Sequence, residues 1–182
     1  MNSLLIQSIR LTSVFAVLLM VIYPAIIWSV SQISSNHGEG FKYKNHYENI
    51  GQKFDKDDYF YSRPSAVDYN AAGSCGSNKG PSNPEYLATV QARIDTFLVH
   101  NPDVKKSQIP SELVTTSGSG LDPNISVKEA KIQVNRIAKI RGIDKNELLK
   151  LISKNTEKPF LGLFGPEKIN VLKLNIALDN LK

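Results

Sequence analysis

Two glycine-rich stretches are the parts of this sequence whose residue types and spacing best suit chemistry. Gly73-Ser74-Cys75-Gly76-Ser77-Asn78-Lys79-Gly80 and Gly118-Ser119-Gly120 could each turn several backbone N–H groups toward an anion such as a phosphate. Neither completes a known phosphate motif. The first lacks the Gly-Lys-Ser/Thr ending of a P-loop, and the second has Pro123 where a dinucleotide fingerprint needs its last glycine. Read structurally, both are turns. Ser119 lies between glycines, but the pattern is not a nucleophile elbow and no histidine is close in sequence. His37, His46 and His100 have no metal-ligand spacing. One cysteine, Cys75, excludes an internal disulfide framework and a zinc site built on several cysteines. Asp68, Asp122 and Asp179 stand as lone acids, suited to surface, capping or catalytic roles.

A third pattern is helical. Residues 126–153 read as two helices joined at Gly142, the outline of a helix-turn-helix. The second helix offers only Lys145, Lys150 and Lys154 as bases, with Asp144 and Glu147 alongside, so it would neutralise few phosphates. A packed helical hairpin is the simpler reading.

The elements that must position these groups read as α+β. Asn83-Pro84 is an N-cap and first-turn pair. Leu87, Val90, Ile94, Phe97 and Leu98 then share a helical face up to His100-Asn101-Pro102. Ser126 and Glu129 form a capping box, and Ala130, Val134, Ile137 and Ala138 face inward until Gly142. Asp144 caps a further helix carrying Leu148, Leu151 and Ile152. Strands are expected at Tyr59-Phe60-Tyr61, at Ile109–Thr115 with Pro110 at an edge, and around Ile169, Val171 and Leu172. A final short helix carries Leu174, Ala177, Leu178 and Leu181.

The 182 residues are 41% hydrophobic and 21% charged, which excludes a fully disordered chain. Their distribution is uneven. Residues 11–30 contain no Asp, Glu, Lys, Arg or His, and all 17 acids lie beyond residue 38. Twenty residues of helix cover the roughly 30 Å of a bilayer's hydrocarbon core. Trp28 suits the headgroup level. Pro24 leaves the carbonyl of Met20 without its helical donor. The alternative is a cleaved signal peptide ending at Ser29-Val30-Ser31, although its apolar stretch is longer than such segments need. Arg10 precedes the span, while His37, Glu39, Lys42 and Lys44 follow it, so the positive-inside rule leans toward an inner N-terminus. The sequence thus divides into residues 1–10 as a short cytoplasmic N-terminus, 11–30 as a transmembrane helix, 31–58 as a juxtamembrane segment and 59–182 as an α+β soluble domain. The net charge of +5 is spread without a dense basic run.

Five segments are too particular to be generic. They are Tyr61-Ser62-Arg63-Pro64-Ser65-Ala66-Val67-Asp68-Tyr69-Asn70, Gly76–Pro84, Val114–Ser126, Gln133-Val134-Asn135-Arg136-Ile137-Ala138 and Asn170-Val171-Leu172-Lys173-Leu174-Asn175. In order and spacing they resemble the C subunit of the bacterial high-affinity potassium-transporting P-type ATPase, the KdpC family. The resemblance covers nearly the whole chain. Cys75 and Lys79 stand where the family more often has small and apolar residues, and Asn124 where histidine is frequent.

The resemblance implies one transmembrane helix followed by a single mixed α+β extracytoplasmic domain in the cell membrane. It implies three partners: a channel-like potassium-translocating subunit, a P-type ATPase pump subunit and a very small membrane subunit. ATP, magnesium and potassium are then used by the complex, and no cofactor is assigned to this chain. The expected role is a non-catalytic accessory subunit that supports assembly and caps the extracellular potassium entrance. Tyr61, Arg63, Pro64, Asp68, Tyr69, Asn70, Asn78 and Asn83 are the expected partner-interface residues, because ordered loops with aromatic and Arg groups suit interface anchors. The family is also described as helping ATP binding, a "catalytic chaperone" role that points to Gln133. Read from the residues alone, Gln133 is a polar packing or surface group of its helix. A tethered DNA-binding protein is the alternative from another class; the main reading has no nucleic-acid partner.

Overall fold

A computed structural model describes residues 2–43 and 46–181. Lys44, counted above among the charges after the span, lies outside them. The chain forms two compact units, Met1–Tyr47 and Glu48–Lys182.

The first unit is one long apolar helix followed by a small hairpin. α1 (Asn2–Val17) passes through a π-helical stretch, Leu18–Ile22, into α2 (Tyr23–Ile33). The span Ser3–Ile33 is long and apolar enough to cross a membrane, and none of its most apolar window is buried within the protein. The helix therefore includes residues 2–10, which composition had set before the span. The π stretch lies just ahead of Pro24. There the Tyr23 N–H donates to the carbonyl of Leu18, five residues back, so the hydrogen-bond register changes where proline removes a donor. β1 (Lys42–Tyr43) and β2 (His46–Tyr47) pair antiparallel.

The second unit is α+β. α3 (Pro84–His100) starts and stops where its sequence signals stand, and the Asn83 side chain accepts from the Tyr86 N–H at 2.9 Å. α4 (Val127–Ile132) opens on the Ser126/Glu129 capping box, with both reciprocal bonds formed. A break at Gln133 separates it from α5 (Val134–Arg141), which Gly142 ends in the left-handed region at φ 65°. α6 (Lys145–Lys154) is capped by Asp144, and α7 (Val171–Asp179) by Asn170. β3 (Asn124–Ile125), β4 (Thr156–Glu157) and β5 (Lys168–Asn170) form an antiparallel sheet in the order β3-β5-β4. Asn124 pairs with Asn170, and Thr156 with Ile169.

Two apolar clusters make the core. The larger joins Phe60 to Ile125, Val134, Ile137, Leu148, Ile152, Ile169, Leu174 and Leu178, and so packs α4–α7 on the small sheet. The smaller joins Phe97, Leu113 and Val114, with Tyr61, Ile94 and Ile132 against it.

Three expected strands differ. Tyr59-Phe60-Tyr61 pairs with no strand: the Tyr59 N–H closes a turn onto the Lys56 carbonyl at 3.1 Å, and the Tyr59 carbonyl, both Phe60 groups and the Tyr61 N–H bond to side chains. Ile109–Thr115 is not a strand. A 3₁₀ turn, Ser111–Leu113, follows Pro110, and adjacent Leu113 and Val114 are both buried, where a half-buried strand would alternate. Val171 and Leu172 belong to α7, because the Asn170 side chain accepts from the Lys173 N–H at 3.1 Å and starts a helix there. Residues 48–58, assigned to the juxtamembrane stretch by composition, pack within the second unit: Gly51 N–H donates to the Leu121 carbonyl at 2.7 Å, and Phe54 lies on the larger core.

Candidate functional site

The signature segment 61–70, the glycine-rich stretch 73–80 and residues 117–122 come together in one cluster of loops. The Ser117 N–H donates to the Pro64 carbonyl at 3.1 Å, and Ser74 Oγ donates to the Ser119 carbonyl at 2.9 Å. Glycine permits this packing. A Cβ on Gly76 would stand 2.9 Å from the Gly118 oxygen. One on Gly120, at φ 69°, would stand 2.8 Å from both the Cys75 oxygen and Val67 Cγ2. These glycines serve close approach of backbone to backbone. In the second glycine loop the Gly120 N–H already donates to the Ser117 carbonyl, and the Leu121 N–H just after it donates to Ser119 Oγ.

Arg63 braces the cluster. Its Nη1 donates to Asp122 Oδ2 at 2.9 Å, and both side chains are less than one-third exposed. Asp122 in turn accepts from the Asn124 N–H at 3.0 Å, so the pair ties the first loop to β3. Tyr69 donates its hydroxyl to the Arg63 carbonyl at 2.6 Å, and burial pushes its phenol up to about 12. Asp68 and Tyr69 are both left-handed, at φ 48° and 60°. That turn puts Asp68 outward, where it pairs with Lys53 at 2.9 Å with both side chains mostly exposed. Asn70 caps the short 3₁₀ turn Ala71–Gly73. Asn78 is exposed and left-handed at φ 52°. Asn83 is the cap of α3. Seven of the eight expected interface residues therefore lie in or beside the loop cluster, and Tyr61 faces another feature.

That feature is a polar hub between the two cores. Gln133 is fully buried. Its Oε1 accepts from the Tyr61 N–H at 2.8 Å and from Arg136 Nη2 at 2.8 Å, while Nε2 donates to the Glu129 carbonyl at 3.1 Å. Arg136 is nearly buried and also donates to Asn101 Oδ1 at 3.1 Å, to the Tyr59 carbonyl at 3.1 Å and to the Asp57 carbonyl. Its guanidinium lies 3.8 Å from the centre of the Tyr61 ring. Burial lowers the Arg136 pKa, opposed by Tyr61 and the aspartates. The Tyr61 hydroxyl donates to Asp57, which holds that carboxyl below its usual range; burial and Asp57 push the phenol up. His100 Nδ1 stands 2.8 Å from Asp57 Oδ1. Every polar atom of Gln133 is thus engaged inside the protein.

Asp57, Asn101, Arg136 and Asn175 were not singled out from the sequence as site residues. For one of them, as for Gln133, a signal existed. Gln133 follows Ala130 by three residues and precedes Ile137 by four, and Asn175 shares the spacing of Val171, Leu174 and Leu178; both fall on core-facing stripes. Asp57 and Asn101 lie in irregular backbone, where periodicity gives no signal. Among the described residues, no group of three or more His, Cys, Asp or Glu side chains is arranged to hold a metal.

The architecture defines a class: a chain with an N-terminal helix able to cross a membrane and an α+β domain carrying a glycine-knit loop cluster. The profile of KdpC, described as the K+-transporting ATPase c chain, matches residues 5–180. The potassium-transporting ATPase KdpC subunit of Flavobacterium psychrophilum is 51% identical over 179 residues, covering 96% of each chain. That of Bacteroides fragilis strain YCH46 is 47% identical over 186 residues, covering 98% of this chain and 97% of the relative. That of Bacillus cereus strain Q1 is 41% identical over 187 residues, covering 99% and 97%. The chain belongs to the KdpC family.

Proposed function

We propose that this chain is a non-catalytic accessory subunit of an ATP-driven potassium uptake complex. Its helix packs among the membrane segments of a channel-like potassium-translocating subunit, a P-type pump subunit and a very small membrane subunit. Its N-terminus is cytoplasmic, and its α+β domain lies outside the cell membrane and caps the potassium entrance. ATP, magnesium and potassium are handled by the other subunits.

The observation that carries this reading is the loop cluster. Segments more than 40 residues apart are held together by their own backbone contacts, which gives a preformed surface with aromatic, Arg and Asn groups. Gln133 serves this reading as an internal tie. The glycine loops serve it as a rigid contact surface. Asp68 adds little field at an entrance, since Lys53 pairs with it and salt screens the rest.

Two measurements test the proposal. Arg63→Ala in the full complex should lower assembly yield or potassium affinity while α3–α7 stay folded; normal yield with normal affinity overturns the interface assignment. Cys75 is exposed. A membrane-impermeant maleimide should label it in intact cells, and protection there with labelling after lysis overturns the external placement.

A further inference from the structure

The β4–β5 hairpin carries an apolar tip that the loop cluster and the hub do not use. Between Pro159 and Pro166 the sequence is Phe160-Leu161-Gly162-Leu163-Phe164-Gly165, without a charge. Its four large side chains are 64–81% exposed. In a water-soluble domain such a contiguous patch marks a contact surface.

We infer that this tip inserts into the headgroup–acyl boundary of the bilayer. Three observations favour lipid as the occupant. The first is the tether. Only 15 steps of chain separate Ile33, the end of the apolar helix, from Glu48, the start of the second unit. At roughly 3.4 Å per residue, that segment keeps the start of the unit within about 50 Å of the helix end. With the helix across the bilayer, the tether holds the domain within reach of a membrane surface at high local concentration.

The second is the form of the tip. The Phe160 N–H donates to the Phe164 carbonyl at 2.8 Å and the Phe164 N–H returns to the Phe160 carbonyl at 3.0 Å. Gly162 donates to the Pro159 carbonyl at 2.9 Å and Leu163 to the Phe160 carbonyl at 3.1 Å. Four backbone donors are thus satisfied internally, so the tip can leave water without stranding them. A tip of six residues is also much smaller than the roughly 20–30 residues a side of a standard protein interface.

The third is the collar. Glu157 pairs with Lys168 at 3.5 Å, while Lys173, 3.9 Å from it, is held more closely by Glu48. Lys154 and Lys158 have no ion pair among the described residues and are free to meet lipid phosphates; Glu167 is the one acid of the collar likewise without a pair there. An apolar tip with flanking lysines matches interfacial insertion. The inference rests on the Ser3–Ile33 helix crossing the bilayer and not on the loop-cluster interface, so either can fail alone.

The test uses the full chain in nanodiscs of phosphatidylethanolamine and phosphatidylglycerol. A Cys75→Ser background carries Leu163→Cys or, separately, Phe160→Cys, each labelled with the environment-sensitive dye NBD; Ser107→Cys is the exposed control. Both tip probes should emit to the blue of the control, and lipids carrying shallow nitroxides should quench them at least about twofold more strongly than the control. Water-like emission at both tip positions overturns the inference. So does a blue shift that needs the other subunits and is insensitive to lipid nitroxides, because it assigns the tip to a protein partner.

Discussion

The side-chain amide of Asn175 bonds both backbone groups of Phe60, accepting from its N–H at 2.9 Å and donating to its carbonyl at 3.0 Å. Both residues are buried, and 115 positions separate them. The amide does for Phe60 what a neighbouring strand would do. It lets Phe60, on a segment outside any sheet, enter the core without an unsatisfied backbone group of its own. Gln133 does the same for the Tyr61 N–H, so two amides, one from α7 and one from the α4–α5 junction, hold one segment.

Asn175→Ala should therefore destabilise the domain far more than a lost side chain of its size. Two buried backbone groups lose their partners, at roughly 1–3 kcal/mol each. A total of about 2–6 kcal/mol is a large part of the usual stability of a domain. Thermal unfolding followed by the tyrosine near-ultraviolet signal should show a fall of several degrees or more. An unchanged midpoint would mean that water replaces the amide without cost.

Gln133→Ala should act in the same way, and this separates a structural from a nucleotide role. The substitution strands the Tyr61 N–H and removes one acceptor from the nearly buried Arg136. The expected result is lower yield of folded subunit, while ATPase turnover per assembled complex and its KM for ATP stay within about twofold of the parent. A raised KM for ATP in complexes that assemble in full would instead assign Gln133 to nucleotide handling.

How much of this was legible depended on whether the partner was local. Asn83, Ser126 with Glu129, Gly142 and Asp144 bond or bend within a few residues, and they marked their helix ends correctly. Tyr59–Tyr61 has the residue types of a strand, but its partners sit on α4–α7, 72 to 115 residues away. Local pattern cannot distinguish a strand neighbour from a side-chain amide. The eight interface candidates came from a family resemblance, and the gathering of the loops that carry seven of them rests on glycine packing at Gly76 and Gly120, which no periodicity encodes. The hub was hidden for a related reason: Arg136 looks like a surface charge until Tyr61 and Asn101 are seen around it.

The loop cluster should be sensitive to glycine substitution in a position-specific way. Gly120→Ala places a Cβ 2.8 Å from Cys75 and Val67 atoms and forces a left-handed alanine, at a backbone cost of roughly 1–2 kcal/mol before the clash. Gly80→Ala meets no atom within 4 Å, and its φ lies outside the left-handed range. The first should speed proteolysis within 61–83 and lower complex assembly; the second should be neutral or stabilise by up to about 1 kcal/mol. Equal behaviour of the two would detach loop packing from assembly.

Glu129 gives the stability a pH dependence with a definite sign. The residue is 1% exposed, Oε2 accepts from the Ser126 N–H at 2.6 Å, and Oε1 has no partner. Burial raises its pKa above the ordinary 4.5. In the window above 4.5 the folded state keeps a proton that the unfolded state releases, so this group's contribution falls as pH rises through its folded value and is fully present below 4.5. Asp57, held below its ordinary 3.8 by Tyr61, slopes the other way: its contribution is lost as pH falls beneath that value. Glu129→Gln separates the two. Its amide oxygen can still accept from Ser126, and no charge is buried. The variant should unfold at a higher temperature than the parent at pH 7, lose that advantage as pH drops toward 4.5, and keep the Asp57-dependent loss at lower pH. A difference between parent and variant that does not vary from pH 4 to 8 would show that Glu129 titrates normally and that its unpartnered oxygen is reached by water.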